Sequence, residues 1–164
     1  MEDAVEYYNA IAKSYEKLYR DEQIGKIKFI LKQLNINKIK TVLDIGAGTG
    51  ILEEFLRDKK IVAVEPSKLS EEMVRKGLEN VKVVRRNIED ISFDERFDLV
   101  VCLTTLQDLN ESNREACIKK AFEFCKEGGT IVISVLKASR IDLSYLKPFA
   151  TGEAENDIIF FFNK

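Results

Sequence analysis

Three glycines at alternate positions are the feature of this sequence that most directly suggests chemistry. They follow the apolar run 41–45, which has the length of a strand, and helix-forming residues resume at Ile51. Glycine adopts backbone dihedrals closed to other residues, and it places no side chain between a turn and a ligand. The stretch therefore predicts a strand, a tight turn and a helix, with a ligand lying against bare backbone.

The spacing of these glycines distinguishes between classes of nucleotide site. Nicotinamide and flavin sites usually carry Gly-x-Gly-x-x-Gly, whose third glycine admits close packing of the helix on the strand. That position is Ile51 here, and the related spacing Gly-x-x-x-Gly-x-Gly would need glycine where the chain has Leu52. The pattern Asp-x-Gly-x-Gly-x-Gly over 44–50 instead resembles the first motif of class I S-adenosylmethionine-dependent methyltransferases. As a lone motif it leaves open a dinucleotide site or a structural turn. The resemblance implies S-adenosylmethionine as cofactor, contacting Asp44, Gly46, Ala47, Gly48 and Gly50.

Glu65 closes the second predicted strand, 61–64, and lies 19 residues after Gly46. In a doubly wound sheet, an acid at this place accepts hydrogen bonds from the ribose hydroxyls. A carboxylate offers two acceptor oxygens to two vicinal hydroxyl donors. We therefore predict that Glu65, with Pro66 beside it, binds the sugar of the cofactor. The alternative is a solvated acid that only closes a strand.

Asn87 and Ile88 follow the third predicted strand, 81–84, where the family often carries Gly-Asp-Ala. In the family, that acid receives the exocyclic amine of adenine. Asn87 departs from the pattern, but its amide oxygen can still accept a hydrogen bond and its NH2 group can donate to a ring nitrogen. The resemblance thus implies that Asn87 and Ile88 recognise adenine in a neutral form.

Residues 97–103 resemble the family's Phe-Asp-x-Val-x motif and predict the fourth strand. Ligands bind beyond the carboxyl ends of parallel strands, so Leu103 is expected at the cofactor, and residues 104–109 where the methyl group meets its acceptor. Relatives acting on small molecules often have two histidines where this chain has Gln107 and Asp108. The Asn/Asp-Pro-Pro-Tyr/Phe signature of enzymes that methylate planar amino groups is absent, which weighs against a base or glutamine acceptor.

The need for a general base depends on the acceptor. An amine or a hydroxyl must lose a proton, whereas a thiolate or a carboxylate needs no base. The candidates are Asp108 and a tyrosinate-like Tyr8 or Tyr15, and for Asp108 an ordinary solvated loop acid is the alternative. The chain has no histidine, so imidazole serves neither as base nor as metal ligand, and we predict no metal site.

An amphipathic helix is predicted over residues 4–20, with Tyr8, Ile11, Tyr15 and Leu18 on one face. The plain interpretation is that this face packs on the rest of the domain. Many methyltransferases begin with a Tyr-rich helix that folds over the cofactor and the substrate entrance. The resemblance therefore implies that Tyr8 and Tyr15 contact the cofactor from such a lid.

The other elements predict a doubly wound α/β fold. We expect a mainly parallel sheet of six or seven strands, with helices on both faces and an antiparallel last strand. The apolar run 157–162 supplies that last strand beside the fifth strand, 130–135, and residues 147–151 supply a stunted outer strand. A turn at 126–129 resembles the family's Lys-Pro-Gly-Gly. Further helices are predicted over 21–35, 51–58, 67–78, 113–126 and 139–146. In the second of these, Leu52 and Phe55 are expected to face inward, and Ser67 and Ser112 are expected to cap the third and the fourth.

Length and composition predict one globular domain over 1–164, comprising a lid (1–35), a cofactor-binding core (41–135) and a short C-terminal part (136–164). The formal charge of -2 weighs against broad attraction to nucleic acid. No apolar run approaches the roughly 20 residues that span a bilayer, and the acidic start lacks a signal core, so we expect a cytoplasmic enzyme. Three cysteines without Cys-x-x-Cys spacing are expected to be small buried residues: Cys102, Cys117 and Cys125.

Together these motifs predict a methyltransferase that leaves S-adenosylhomocysteine as product. A small-molecule acceptor is favoured, with RNA or protein acceptors as alternatives, and the oligomeric state stays open. A hypothesis of another class is a non-catalytic subunit that keeps the fold to activate a partner. The complete glycine set together with Glu65 favours a working cofactor site over that scaffold.

Overall fold

A seven-stranded sheet forms the framework of the molecule. The computed structural model describes residues 2–164, and Met1 and the side chains of Glu2 and Asp3 lie outside the described part. The strand order is β3-β2-β1-β4-β5-β7-β6. Strands β1 to β5 run parallel, whereas β7 pairs antiparallel with β5 and β6 pairs antiparallel with β7. The bounds are β1 Thr41–Ile45, β2 Lys60–Val64, β3 Val81–Val84, β4 Phe97–Leu103, β5 Cys125–Leu136, β6 Ala150–Ala154 and β7 Asp157–Asn163. The predicted fold class is confirmed.

Helices cover both faces of this sheet. Successive residues of a strand point to opposite faces, so Val42 of β1 packs in one apolar cluster and Leu43 in another. The first cluster includes Ile27 and Ile30 of α2, and the second includes Phe124 of α5. Parallel strands covered on both sides read as continuous apolar runs, as these strands do. The helices are α1 Glu2–Ile11, α2 Tyr15–Gln33, α3 Ile51–Phe55, α4 Leu69–Arg75 and α5 Glu111–Phe124.

The prediction of one helix over 4–20 is wrong, because the helix breaks between Ile11 and Tyr15. At the break, the Ser14 hydroxyl donates to the Ile11 carbonyl oxygen at 3.2 Å, which satisfies the backbone locally in place of a continued helix. Because of this break, the residues of α2 do not continue the apolar face that was predicted from Tyr8 and Ile11. Leu18 is 59% exposed, and Tyr19 rather than Leu18 lines the cavity described below.

Other element boundaries also differ from the prediction. Helix α3 ends at Phe55, which is exposed rather than inward, because the chain turns there to enter β2. Asn110, not Ser112, caps α5, and its side chain accepts from the Asn113 N–H at 2.9 Å. The Ser67 hydroxyl does accept from the Leu69 N–H, at 3.2 Å, ahead of α4.

The C-terminal third follows the predicted topology with shifted bounds. The predicted turn at 126–129 lies inside β5, which begins directly after α5. Two 3-10 turns, Lys137–Ser139 and Ser144–Leu146, replace the helix predicted over 139–146. The outer strand predicted at 147–151 is present as β6, a few residues later. The three cysteines are free and buried, as predicted. No helix in the described chain is both long enough and apolar enough to cross a membrane.

Candidate functional site

A cavity of about 500 Å³ lies where β1, β2 and β4 end. Its walls are the turns that follow these strands, and α1 and α2 cover it. Binding sites of doubly wound sheets lie at this carboxyl edge. Most of the residues that the sequence singled out line this cavity: Tyr8, Tyr15, Asp44, Gly46, Ala47, Gly48, Glu65, Pro66, Asn87, Leu103 and Asp108.

Gly50 and Ile88 are the two predicted site residues that do not line the cavity. Gly50 stands at the start of α3, and Ile88 is 4% exposed in the core. A Cβ atom at Gly50 would lie 2.6 Å from Met73 Cγ, so this glycine allows α4 to pack against the turn. Their roles toward a cofactor stay predictions.

Gly48 is the glycine of the turn that faces the cavity. Its φ is +61°, a left-handed conformation that favours glycine. A Cβ atom here would meet nothing closer than 4.0 Å, whereas one at Gly46 would collide with the Thr105 side chain. The three glycines therefore do different things: Gly48 keeps backbone bare toward the cavity, and the other two admit neighbouring side chains.

The Glu65 carboxylate lies at the end of β2 and is 6% exposed. One of its oxygens accepts from the Gly48 N–H at 2.9 Å, and the other accepts from the Ser67 N–H at 2.9 Å and from the Ser67 hydroxyl at 2.6 Å. A carboxylate has about four acceptor positions and three are used here, so about one remains for a further donor. Glu65 thus holds the glycine turn against β2, a role that sequence reasoning missed.

Tyrosines from α1 and α2 form the cover of the cavity. The Tyr8 hydroxyl donates to the Asp108 carboxylate at 2.8 Å, and the rings of Tyr8 and Tyr15 meet edge to face at 6.1 Å. On its other side, α1 is tied down by Asn9, whose side-chain oxygen accepts from the Lys68 N–H at 2.7 Å. Helix α1 therefore lies across the cavity with contacts to both rims.

The surroundings of Tyr8 and Tyr15 weigh against either of them as a tyrosinate-like base. Burial, together with the negative charge of Asp108, raises the pKa of Tyr8, and burial with the charge of Glu65 raises the pKa of Tyr15. Both phenols therefore stay protonated at neutral pH. Asp108 is half-buried against Tyr8 and is no ordinary solvated loop acid. Burial raises the pKa of Asp108, although the Tyr8 hydrogen bond opposes that shift.

Several cavity residues were missed by sequence reasoning. Tyr19 and Glu22 follow Tyr15 at four and seven positions along α2, the spacing of one helix face. Helical periodicity counted from Tyr15, rather than carried through from Tyr8, would have found them. Residues without such a signal also line the cavity: Tyr7, Gln23 and Ser67. Thr104, Thr105 and Gln107 line it as well, and they belong to the segment 104–109 that the sequence assigned to the acceptor.

Asp44, at the end of β1, forms a buried carboxyl pair with Glu53 of α3. The two side chains are 4% and 0% exposed. No donor reaches either oxygen of Glu53 in the described structure, so the two acids satisfy each other only when one of them carries a proton. Burial and then the charge of Glu53 raise the pKa of Asp44, and burial raises the pKa of Glu53 to about 7. We therefore expect the pair to share a proton near neutral pH.

This pair predicts a pH dependence of stability. Since the raised pKa values mean that the folded state binds more protons than the unfolded chain, the free energy of unfolding should be highest at acidic pH and fall as pH rises through about 7. We expect a loss of up to about 3 kcal/mol between pH 5 and 8. Glu53→Gln places a permanent donor beside Asp44 and should flatten this slope in urea unfolding.

Glu54→Gln is the matched control for that experiment. Ion pairs with Arg20 and Lys76 outweigh the effect of burial and hold the pKa of Glu54 at about 2, far below the window measured. Its replacement should lower stability by the same amount at every pH from 5 to 8. Equal slopes in the wild type and in Glu53→Gln would contradict the shared proton.

Comparisons with known proteins identify the family. A family described as "Methyltransferase domain" matches residues 42–129, which is more than half of the chain. A malonyl-[acyl-carrier protein] O-methyltransferase from Priestia megaterium is 29% identical over 136 residues, covering 77% of this chain and 48% of that protein. Protein arginine N-methyltransferase 6 from Danio rerio is 30% identical over 129 residues, covering 73% of this chain and 34% of that protein.

Solved structures share the fold. The structure described as "DhpI-SAM-HEP complex" superposes with a TM-score of 0.72 at 21% identity, covering 99% of this chain and 82% of that one. The present chain spans half or less of the length of the two curated relatives named above. With the strand order, the glycine turn and the family match in agreement, the chain belongs to the class I S-adenosylmethionine-dependent methyltransferases.

Proposed function

We propose that this chain transfers the methyl group of S-adenosylmethionine to a small-molecule acceptor. The observation that carries the proposal is the cavity at the carboxyl edge of the sheet, where bare backbone at Gly48 meets the buried carboxylate of Glu65. An adenosyl sulfonium compound needs an acceptor for its ribose hydroxyls and room beside the main chain. The residues present fit both requirements.

Each part of the cofactor has candidate partners in the cavity. Glu65 would accept from the ribose hydroxyls, with Pro66 and Leu103 beside it, and Asn87 would recognise the adenine edge. The turn around Gly48 would hold the amino-acid portion against bare backbone. The tyrosine cover would exclude water. The further cofactor residues of the proposal are Tyr8, Tyr15, Asp44, Gly46, Ala47, Gly50 and Ile88.

The cofactor supplies a methyl group on a positively charged sulfur, so the protein's task is mainly alignment and exclusion of water. Positioning of this kind contributes up to roughly 7–11 kcal/mol to a reaction barrier. Helix α1 closes over the cavity through the hydrogen bond between Tyr8 and Asp108, at 2.8 Å. Asp108 thereby stands as the candidate proton acceptor for an amine or hydroxyl substrate.

A small acceptor is favoured because α1 covers the cavity and the volume of about 500 Å³ is typical of small-molecule sites. The net charge of -2 supports the same choice over RNA. The names of the relatives point to different acceptors, malonyl-[acyl-carrier protein] and protein arginine, so they do not decide between acceptor classes.

Titration calorimetry with S-adenosylhomocysteine tests the cofactor site, and the chain offers a matched pair of variants. Gly48 and Gly77 both have a φ of +61°, and at neither would an added Cβ atom meet another atom closer than 4.0 Å, but only Gly48 faces the cavity. Both alanine substitutions should therefore cost similar stability, on the order of 1 kcal/mol. We expect Gly48→Ala to weaken binding at least tenfold and Gly77→Ala to leave it unchanged. Equal affinities would count against the proposed site.

A radiolabelled-methyl assay tests the acceptor class. A cell extract is divided into small-molecule, RNA and protein fractions, and each is incubated with the protein and labelled S-adenosylmethionine. The proposal expects label in the small-molecule fraction. Label confined to RNA or to protein would overturn the acceptor class while leaving the cofactor site intact.

A further inference from the structure

The cavity has an unusual balance of charge. Of the 164 residues, 26 are Lys or Arg, so a cavity of this size would contain several by chance. Among the described residues that line it there is none, whereas four acids line it: Glu22, Asp44, Glu65 and Asp108. Apart from the cofactor's own carboxylate, which the backbone of the turn around Gly48 would hold, an anionic group entering this cavity would lose its hydration among carboxylates and find no cationic side chain in return.

Lys26 lies next to this cavity but does not supply a free charge. Its ammonium group donates to the Thr104 hydroxyl from behind the cavity wall, and it lies 3.0 Å from the Asp157 carboxylate. Both Lys26 and Asp157 are 0% exposed, so the pair is a closed internal unit. The Asp157 carboxylate neutralises the Lys26 ammonium group, so Lys26 offers no unpaired positive charge to the cavity.

Two of the four acids belong to the cofactor part of the site described above. Glu65 holds the glycine turn and stands where the sugar would bind, and Asp44 pairs with Glu53. The other two, Glu22 and Asp108, lie among the tyrosine rings, where Asp108 accepts from the Tyr8 hydroxyl. Glu22 and Asp108 line the same cavity as Tyr15, and the charges of both contribute to raising the pKa of Tyr15, behind burial, Glu65 and Tyr19.

We infer that the methyl acceptor is an amine that enters this cavity as a cation, and the inference rests on the proposed function. Its ammonium group would lie on the tyrosine faces between Glu22 and Asp108, since aromatic faces and carboxylates both attract cations. In the described part of the chain, four tyrosines line the cavity and provide this surface: Tyr7, Tyr8, Tyr15 and Tyr19. A carboxylate or phosphate ester acceptor would find no Lys or Arg side chain among the described residues that line the cavity.

The chemistry balances with groups that are present. An N–H bond of the ammonium breaks, and the proton passes to the Asp108 carboxylate, which forms an O–H bond. The freed nitrogen lone pair then forms a bond to the methyl carbon as the carbon–sulfur bond breaks, and that electron pair returns to sulfur. The products are the N-methylated acceptor, as an ammonium ion, and a neutral thioether. Asp108 stays protonated until it loses the proton to water. Burial of Asp108 favours this proton uptake.

The test separates the acceptors by charge. A small-molecule extract is divided on cation- and anion-exchange resins, and each fraction receives the protein with labelled S-adenosylmethionine. The inference expects label in the material retained by the cation exchanger, at least tenfold above the other fractions. Label in the anion-exchange or unretained material would overturn it, as would an absence of label in every fraction from a protein that binds S-adenosylhomocysteine. Failure to bind S-adenosylhomocysteine would instead overturn the proposed function.

Variants distinguish an acceptor site from a contact with the cofactor's own ammonium group. Glu22→Gln should raise KM for the cationic fraction at least tenfold and change S-adenosylhomocysteine affinity less than threefold. Asp108→Asn should lower kcat at least 100-fold and remove any acidic limb of the pH profile. Glu115→Gln, on the exposed side of α5, is the control and should alter neither quantity. A tenfold loss of S-adenosylhomocysteine affinity in Glu22→Gln would assign that acid to the cofactor and overturn its place in the acceptor site.

Discussion

Glu65→Gln is expected to weaken S-adenosylhomocysteine binding by at least about 100-fold, equivalent to about 2.8 kcal/mol. The carboxylate accepts from Gly48 on one oxygen and from Ser67 on the other. An amide in its place keeps one acceptor and turns the second position into a donor that faces another N–H group. It therefore loosens the turn and offers fewer acceptor positions to the ribose hydroxyls. Hydrogen bonds to a charged group contribute roughly 1.5–3 kcal/mol each, so the loss of one already approaches this figure.

Ser67→Ala separates the two roles of Glu65. It removes the hydroxyl that donates to the carboxylate at 2.6 Å but leaves the carboxylate itself and both backbone donors. We expect at most about a tenfold loss of affinity, because one of three supports is lost and the charge remains. Affinities are measured by calorimetry at a temperature where circular dichroism shows each variant folded. A Glu65→Gln protein that binds within threefold of the wild type would refute the sugar-binding role.

Asp157→Ala is expected to cost about 3–5 kcal/mol of unfolding free energy, the range found when one partner of a buried ion pair is removed. Asp157 accepts from the Ser134 hydroxyl at 2.6 Å and from the Thr104 hydroxyl at 2.8 Å, besides pairing with Lys26. Without Asp157, a fully buried ammonium group loses its counter-charge and two hydroxyls lose a hydrogen-bond acceptor. Thr104 also holds a strained backbone, with a φ of +54°, that this network supports.

A double-mutant cycle measures the coupling between these side chains. Lys26→Met alone leaves a buried carboxylate without its partner, so each single substitution should lower stability severely. The double variant, with Lys26→Met and Asp157→Ala together, leaves neither charge unpaired. We expect the double variant to be more stable than the sum of the singles predicts, by at least about 2 kcal/mol in urea unfolding at pH 7.

The control cycle uses the exposed pair Lys60–Glu95, whose charged atoms lie 3.3 Å apart with side chains 70% and 42% exposed. Its coupling should be below about 1 kcal/mol, because water and salt screen exposed charges. Additive costs at Lys26 and Asp157, equal to those of the exposed pair, would contradict the idea that the buried pair acts as one unit.

Contacts between residues far apart in the chain explain why sequence patterns did not predict parts of the site. The Tyr8 hydroxyl meets Asp108 across 100 positions of chain, Lys26 meets Thr104 across 78, and Glu65 meets Gly48 across 17. No periodicity within one element reports such contacts. They follow from the order of the strands and from the path of α2 over the sheet edge.

Local patterns were sufficient for the strand, turn and helix around Gly48, for the acid after β2 and for the apolar strands, because each depends on residues close in sequence. Resemblance to the family supplied the mainly parallel sheet and its antiparallel end, and the structure supplied the full strand order. Tertiary structure alone decided the break after Ile11, which side of α2 faces the cavity, and which partner each buried acid meets. Those outcomes depend on burial and on partners from distant segments, and burial exists only once the chain has folded.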